Sequence, residues 1–246
     1  MISRVEKADK LRRSRALRAW NDLPDFMRVP EVRPYYDILE KKAWQLTLKR
    51  AFDCALAVVL LILFLIPMLL IALWICLDSK GGPLYRQERV TAYGQHFHIH
   101  KFRTMVMDSE KLGAQLTVKD DPRITHAGRI LRKLHLDELP QLLDVIEGSM
   151  SFVGTRAEVP TYVERYRPEY YATLLMPAGI TSEATIRFKN ESKMLNAAQD
   201  VDETYLKEIL PVKMKWNLES IRRFRFLREI LTMVRTVLAV LGKEYH

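Results

Sequence analysis

Most of the features that announce a reaction are missing from this chain. There is no GxGxxG loop and no P-loop, so the common backbone cradles for nucleotide phosphates are excluded. There is no GxSxG elbow, and Ser149, Ser151 and Thr155 lack a convincing His–acid partner set, which argues against serine-type acyl transfer. Cysteine occurs twice, at 54 and 76, on the edges of an apolar run, so neither a disulfide framework nor a thiolate metal site is indicated. Internal repeats are absent, and only parts of the first 35 residues are simple enough to read as disordered.

Charge disappears altogether between Cys54 and Leu77, CALAVVLLILFLIPMLLIALWICL. The run exceeds the roughly 18 residues that mark membrane immersion. As a straight helix it is about 36 Å long, enough for a bilayer core of about 30 Å. It begins too far along the chain for a secretory signal, and no small-residue cleavage site follows. The net charge of +9 fits nucleic acid or anionic lipid, and the apolar run selects lipid. Pro67, near the middle, removes one helical hydrogen bond and leaves two readings open: a kinked spanning helix, or a helix that enters and leaves by one leaflet. Lys41, Lys42, Lys49 and Arg50 before the run favour a cytoplasmic flank, but Lys80, Arg86 and Arg89 after it keep the far side from being poor in base.

Residues 1–50 carry 13 Lys or Arg against 7 Asp or Glu. RVEKADKLRRSRALRAW reads as a basic helix on the lipid surface or a loose tail, with Trp20 and Trp44 as interfacial anchors. A helix is expected over Tyr35–Lys49, preceded by the proline-rich joint PDFMRVPEVRP. After the apolar run, DSKGGP is a turn, and LYRQERV with QHFHIHKFRTM predicts a hairpin closed by Thr91–Gly94. AGRILRKLHL and YVERYRPEYYATLLM predict helices, and AGIT an extended segment. From Ile221, apolar residues at 221, 224, 227, 231, 234, 238 and 241 alternate with Arg222, Arg223, Arg225, Arg228 and Arg235. This is a basic amphipathic helix, either packed on the domain or lying in the membrane interface.

Three clusters carry the chemistry. Lys101 and Arg103 lie in KFRTM; Arg123 lies in DPRIT, followed by Arg129 and Arg132; Asp137 and Glu138 begin a stretch that ends at Arg156. Arginine's rigid fork suits phosphate oxygens. Cations and acids together beside a membrane point to a phosphorylated lipid or a nucleotide, with a divalent cation held by carboxylate. With Asp137 as N-cap, Pro140 falls at N3, where a missing amide does no harm, and the helix runs to Gly148. The acids then point about 100° apart at the positive end of a helix, where phosphate also binds. A capping aspartate beside a solvated glutamate is the competing reading. His96, His98 and His100 share one face of the expected strand, as a polar sheet face or, less simply, as a zinc site. His126 and His135 stand close enough in sequence to the acids for a phosphate or sugar contact.

GGPLYRQERV, KFRTM, DPRITHAGRILRKLHLDELPQL and EGSMSFVGTR, in this order, resemble the monotopic phosphoglycosyl transferases, the bacterial sugar transferase family that initiates exopolysaccharide or glycoconjugate synthesis. The resemblance runs from KRAFD at Lys49 to the C-terminus and looks like that of a small-form member. It implies transfer of a phosphosugar from a nucleotide-diphosphate sugar to a polyprenyl phosphate, with release of a nucleoside monophosphate. It implies that Asp137 is the nucleophile of a covalent phosphosugar intermediate and that Glu138 is linked to Mg2+ and activation. Arg132 matches an arginine near phosphate, and Arg156 the arginine of the later VGPR motif. The family's membrane helix is re-entrant and broken at the proline matching Pro67, which places the catalytic domain on the cytoplasmic face of the bacterial inner membrane.

The expected architecture is therefore α+β. A basic juxtamembrane segment (1–48) and a re-entrant helix (49–78) precede a mostly helical catalytic domain (79–246) with a short hairpin and interfacial amphipathic helices. Expected partners are the nucleotide sugar, polyprenyl phosphate, anionic lipids and a possible second copy of the chain, with no nucleic acid. The sequence departs from the family at Thr155-Arg156-Ala157, where Pro-Arg-Pro is usual, and at Ala178–Ser182, where PGITG is common. Rival readings are direct displacement without a covalent intermediate and a non-catalytic membrane-surface scaffold.

Overall fold

The computed structural model describes residues 17–109, 121–188, 191–198 and 200–240. The expected basic helix over residues 4–20 lies almost wholly outside them. From Leu17 onward the N-terminal segment belongs to a large hydrophobic cluster, and Met27, Val32 and Leu39 have no exposed surface. The proline-rich joint is thus a folded, core-filling piece with a 3-10 turn at Asp25–Met27.

Helix α1 (Arg33–Glu40) and the 36-residue α2 (Ala43–Asp78) replace the single helix expected over Tyr35–Lys49. The break falls at Lys42, whose backbone leaves the helical region and whose ammonium donates to the Phe224 carbonyl (2.7 Å). The break lets Leu39 and Leu46 enter the same core from two directions. Helix α2 continues through Pro67 and is about 54 Å long at 1.5 Å per residue. Among the described residues it is the one helix long and apolar enough to cross a membrane.

Both flanks of α2 dock on the same body. Near its start, Arg50 donates to the carbonyls of Val145 (2.5 Å) and Ile146 (2.8 Å). At its end, Asp78 accepts from the Ala127 amide (3.0 Å). Between them Ile62, Leu63, Leu65, Ile66, Leu69 and Leu70 are exposed.

The hairpin forms as expected. Strands β1 (Leu84–Val90) and β2 (His96–Phe102) pair antiparallel with Tyr85 opposite Lys101 and Arg86 opposite His100. Helix α3 (His126–Lys133) is N-capped by Thr125, whose hydroxyl accepts from the Gly128 amide (3.0 Å). Helix α4 (Gln141–Glu147) ends at the left-handed Gly148.

A second, parallel two-stranded sheet, β3 (Met150–Val153) with β4 (Ala178–Thr181), was not anticipated beyond the extended AGIT. Its register needs glycine: a Cβ on Gly179 would stand 2.2 Å from the Gly154 amide nitrogen.

Two expected helices are corrected. YVERYRPEYYATLLM is not one helix but α5 (Pro160–Val163) and a 3-10 stretch over Pro168–Leu175. Pro168 holds Arg167 extended and so breaks the run. The C-terminal helix does not start at Ile221. After α6 (Glu183–Arg187), α7 (Glu191–Ala197), α8 (Val201–Thr204) and a π turn at Tyr205–Ile209, α9 (Leu210–Arg222) ends there. A turn buries Phe224, and α10 runs from Phe226 to Val240. The result is mostly helical, with two short sheets and one long apolar helix.

Candidate active site

The two acids sit where three elements meet. β2 supplies Lys101, the turn between α3 and α4 supplies Asp137 and Glu138, and the loop after β3 supplies Arg156. Asp137 is not the N-cap of α4. Leu136–Glu138 forms a separate 3-10 turn, and α4 begins only at Gln141. The Leu136 carbonyl takes the Leu139 amide (3.3 Å), and the Leu139 and Pro140 carbonyls take the Leu142 and Leu143 amides (3.1 and 3.0 Å), so the chain turns in three-residue steps through Pro140 before α4 begins. His135, just before the turn, lies in the left-handed region (φ 55°), which is uncommon for non-glycine residues, though histidine enters it more readily than most. Leu136 and Leu139 bracket the acids and pack against a cluster built on Ile75 of α2, Phe102 and Leu131.

Glu138 meets both cations through one oxygen: Oε1 accepts from Lys101 Nζ (2.8 Å) and from Arg156 (3.3 Å). Burial opposes its charge, but Arg156 and Lys101, helped by His135, hold its carboxyl down to about 2. Lys101 moves the other way: burial and the charge of Arg156 lower it, and Glu138 recovers only part. The asymmetry is physical: the two cations outweigh burial at Glu138, whereas at Lys101 burial and the charge of Arg156 outweigh Glu138 and Asp137. Arg156 keeps its charge more firmly than usual because of Glu138, against burial, with Glu158 adding to the effect. Asp137 is shifted upward, first by burial and then by the neighbouring Glu138, and Lys101 and Arg132 offset this only partly. Adjacent carboxylates are thus driven apart in basicity.

Arg132 on α3 donates through Nε to Thr104 Oγ1 (3.0 Å), and burial lowers its pKa while Asp137 raises it. Its helix approaches closely enough that a Cβ on Gly128 would lie 2.1 Å from the Thr104 carbonyl oxygen. Arg129 is exposed on the same helix. The other two predicted phosphate ligands are committed elsewhere. Arg103 closes the end of α2, donating to Ser79 Oγ and the carbonyls of Ser79, Gly81 and Gly82. Arg123 is held bidentately by Asp121 and also donates to the Ser109 carbonyl (2.8 Å).

Sequence reasoning missed Thr104, which orients Arg132. It also missed the pairing of His100 with Asp144. Asp144 takes the His100 amide (2.9 Å) on one oxygen and its Nδ1 (2.7 Å) on the other, tying the free edge of β2 to α4. Arg86, a donor only, meets His100 Nε2 (2.5 Å), so Nδ1 carries the proton given to Asp144. His96 pairs with Glu88 instead (2.9 Å), so the three histidines do not act together.

No group of three or more His, Cys, Asp or Glu poised for a metal occurs among the described residues. Two adjacent carboxylates are too few for an all-protein cage. They suit a magnesium ion, which commonly takes one or two carboxylates and completes its shell with water and substrate phosphate. A cavity of ≈ 1140 Å³, bordered by Arg18, Lys49, Asp53, Tyr93 and Ser151, lies apart from the acids at the start of α2.

Residues 44–243 match the family described as bacterial sugar transferase. Similar proteins include the putative undecaprenyl-phosphate N-acetylgalactosaminyl 1-phosphate transferase of Bacillus subtilis, 39% identical over 134 residues, covering 54% of this chain and 75% of that protein. The UDP-glucose:undecaprenyl-phosphate glucose-1-phosphate transferase of Caulobacter vibrioides is 34% identical over 199 residues, covering 80% and 70%. The UDP-N-acetylgalactosamine-undecaprenyl-phosphate N-acetylgalactosaminephosphotransferase of Aeromonas hydrophila is 32% identical over 197 residues, covering 79% of this chain but 44% of that protein. With the family pattern spanning most of its length, this chain belongs to the bacterial sugar transferase family.

Proposed function

We propose that the chain moves a phosphosugar from a nucleotide-diphosphate sugar to a polyprenyl phosphate, undecaprenyl phosphate in particular, by way of a phosphosugar on Asp137. The relatives' names supply the substrate classes. The observation that carries the assignment of roles is the divergence of the two acids. Glu138, ion-paired twice and held to about 2, is a weak base; Asp137, pushed upward by burial and by Glu138, is the more basic and hence the better nucleophile. An Asp137 oxygen attacks the sugar-bearing phosphorus. The bond from that phosphorus to the bridging oxygen breaks, and the nucleoside monophosphate leaves with the electron pair. A phosphate oxygen of the lipid then attacks the same phosphorus, and the Asp137–phosphorus bond breaks to restore the carboxylate. Lys101 and Arg156, fixed by Glu138, neutralise charge on the transferring phosphate, and Arg132 and Arg129 do so from α3. Asp137 and Glu138 Oε2 are the groups that would hold Mg2+, which when bound supplies further neutralisation of the diphosphate.

Incubating the enzyme with donor alone, without acceptor, is expected to add one phosphosugar mass on Asp137, and D137N to abolish both adduct and turnover. Turnover retained in D137N, or turnover by the wild type with no adduct, favours direct displacement.

The same-leaflet reading of α2 is supported by the docking of both its flanks on one body, which a straight crossing does not allow without immersing that body. Cysteines placed at Pro30 and Glu164, in a chain with Cys54 and Cys76 replaced by serine, are expected to react with a membrane-impermeant reagent from the cytoplasmic side only. Reaction of the two from opposite sides overturns this topology.

A further inference from the structure

Glu138 meets Lys101 and Arg156, and a single hairpin stands behind both. Lys101 lies on β2. Tyr85 is its partner on β1, and Gln87 and Arg89 follow on the same face of the pair. Arg89 reaches the loop that carries Arg156: Nη1 donates to the Ala157 carbonyl (3.0 Å) and Nη2 to Gln87 Oε1 (2.5 Å). One residue on, the Val90 amide donates to the Glu158 carbonyl (2.9 Å). On the other side of Arg156, the Gly179 amide donates to the Thr155 carbonyl (2.8 Å). Arg156 stands between Thr155 and Ala157, in place of the two prolines of the usual family pattern. Proline fixes φ and stiffens a loop. This loop has neither proline, and these three bonds from outside set its path. Two come from backbone amides. The third comes from a guanidinium whose Nε is buried with no hydrogen-bond partner among the described residues. An unmet buried donor on a cation is costly, so packing alone does not account for an arginine at this position. Burial lowers the pKa of Arg89, Glu158 opposes this, and Arg156 adds to it, so the two arginines feel each other's charge. Glu158, buried and bonded to the Tyr205 hydroxyl (2.5 Å), favours the charged form of both.

We propose that Arg89 is a positioning residue for this site: by holding the Ala157 carbonyl it keeps Arg156 on Glu138, in a loop that lacks the usual prolines. One hairpin then fixes both cations, Lys101 directly on β2 and Arg156 through Arg89 on β1. This rests on the role given above to Arg156 at the transferring phosphate, and it adds what sets that arginine in place.

The test uses the full chain in nanodiscs and follows, by intact-protein mass, the rate at which donor alone adds a phosphosugar. The donor is whichever of UDP-glucose, UDP-galactose and UDP-N-acetylgalactosamine the wild type turns over. R89M keeps the length of the side chain without its donors and charge, and R89K keeps the charge without the fork. R89M is expected to slow adduct formation about tenfold or more, because a small displacement of a charge-neutralising group costs that much, and R89K to slow it less. Both are repeated in an R156A background. There R89M is expected to cause no further slowing, while its effect on Tm is the same in both backgrounds. A wild-type rate in folded R89M overturns the inference. So does slowing by the same factor with and without Arg156, which makes Arg89 a general support of the fold. R89K carries the same comparison if R89M does not fold. A wild-type rate in R156A removes the role of Arg156 and this inference with it. Turnover by the wild type without an adduct removes only the covalent reading, and release of nucleoside monophosphate with undecaprenyl phosphate then reads the same comparison.

Discussion

Asp137 and Glu138 share a peptide bond and are shifted in opposite directions, and each shift has a consequence for stability as well as for rate. Glu138 is held below its unfolded value, so its contribution to stability is present above that value and is lost as pH falls toward about 2. Asp137 is held above its unfolded value, so its ionised form costs stability at neutral pH, and that cost disappears as pH falls below the unfolded value. D137N is therefore expected to raise the Tm at pH 7 while abolishing turnover, with the Tm gain shrinking in acid. E138Q is expected to lower both Tm and rate, because it leaves Lys101 and Arg156 facing a neutral partner. The acid limb of kcat/KM should lie above the usual aspartate range, since Asp137 must be ionised to attack. Thermal melts across pH, alongside a pH–rate profile, check all three; a lower Tm for D137N contradicts the burial argument.

At the scale of elements, the site depends on how β2 is set against α4, because Lys101 rides on one and Glu138 precedes the other. Asp144 fixes that relation by taking both the edge amide and the ring proton of His100. D144A is expected to leave two buried donors unmet and to cost about 2–4 kcal/mol of stability. It should lower kcat by misplacing Lys101, while D144N, which keeps one acceptor, recovers part of both. A kcat unchanged in a folded D144A shows that the staple has no part in positioning.

This is also where the sequence stops being legible. The hairpin could be read because LYRQERV and QHFHIHKFRTM are two short strand-forming runs with a turn between them. The acids and Lys101 could be read because they sit in unbroken motifs, and Arg156 because the arginine stands in place although both flanking prolines are replaced. The His100–Asp144 pair joins residues 44 apart through a strand–helix docking that no local pattern encodes. Arg103 and Arg123 look the same in sequence as Arg132, and only the carbonyls of α2's end and the carboxylate of Asp121 set them apart. The short 3-10 turn that replaces the expected capped helix follows His135 in the left-handed region (φ 55°), a conformation that no local pattern announces.

For the whole molecule, the open physical question is what covers α10. Its inner face mixes polar and apolar contacts: Glu229 meets Lys49 (3.1 Å), Thr232 donates to Glu183 (2.8 Å) and Thr236 pairs with Thr181 (2.8 Å), while Met233 packs with Ala57 and Leu142 and Phe226 stands edge-on to Phe52. Its outer face presents Leu227, Leu231, Val234 and Val237, between 46% and 76% exposed. A helix of a water-soluble body keeps its outward face polar, and this one leaves a second apolar stripe outward. Burying four such side chains is worth several kcal/mol, at about 1.5–3 kcal/mol for each one fully covered, which is ample to hold the helix in an interface. Lipid is the coherent occupant because α10 packs on α2, whose own exposed surface is apolar, and because Trp44, 66% exposed near the start of α2, suits the headgroup level. The prediction is that a polarity-sensitive fluorophore on L231C, in the cysteine-free chain reconstituted into vesicles, is quenched by lipids brominated near the headgroup end of the acyl chain. Weaker quenching is expected from lipids brominated near the chain terminus. A second copy of the chain covering the stripe gives the opposite pattern, with no lipid quenching and efficient α10-to-α10 cross-linking, and that result would move α10 from the membrane interface to a protein interface.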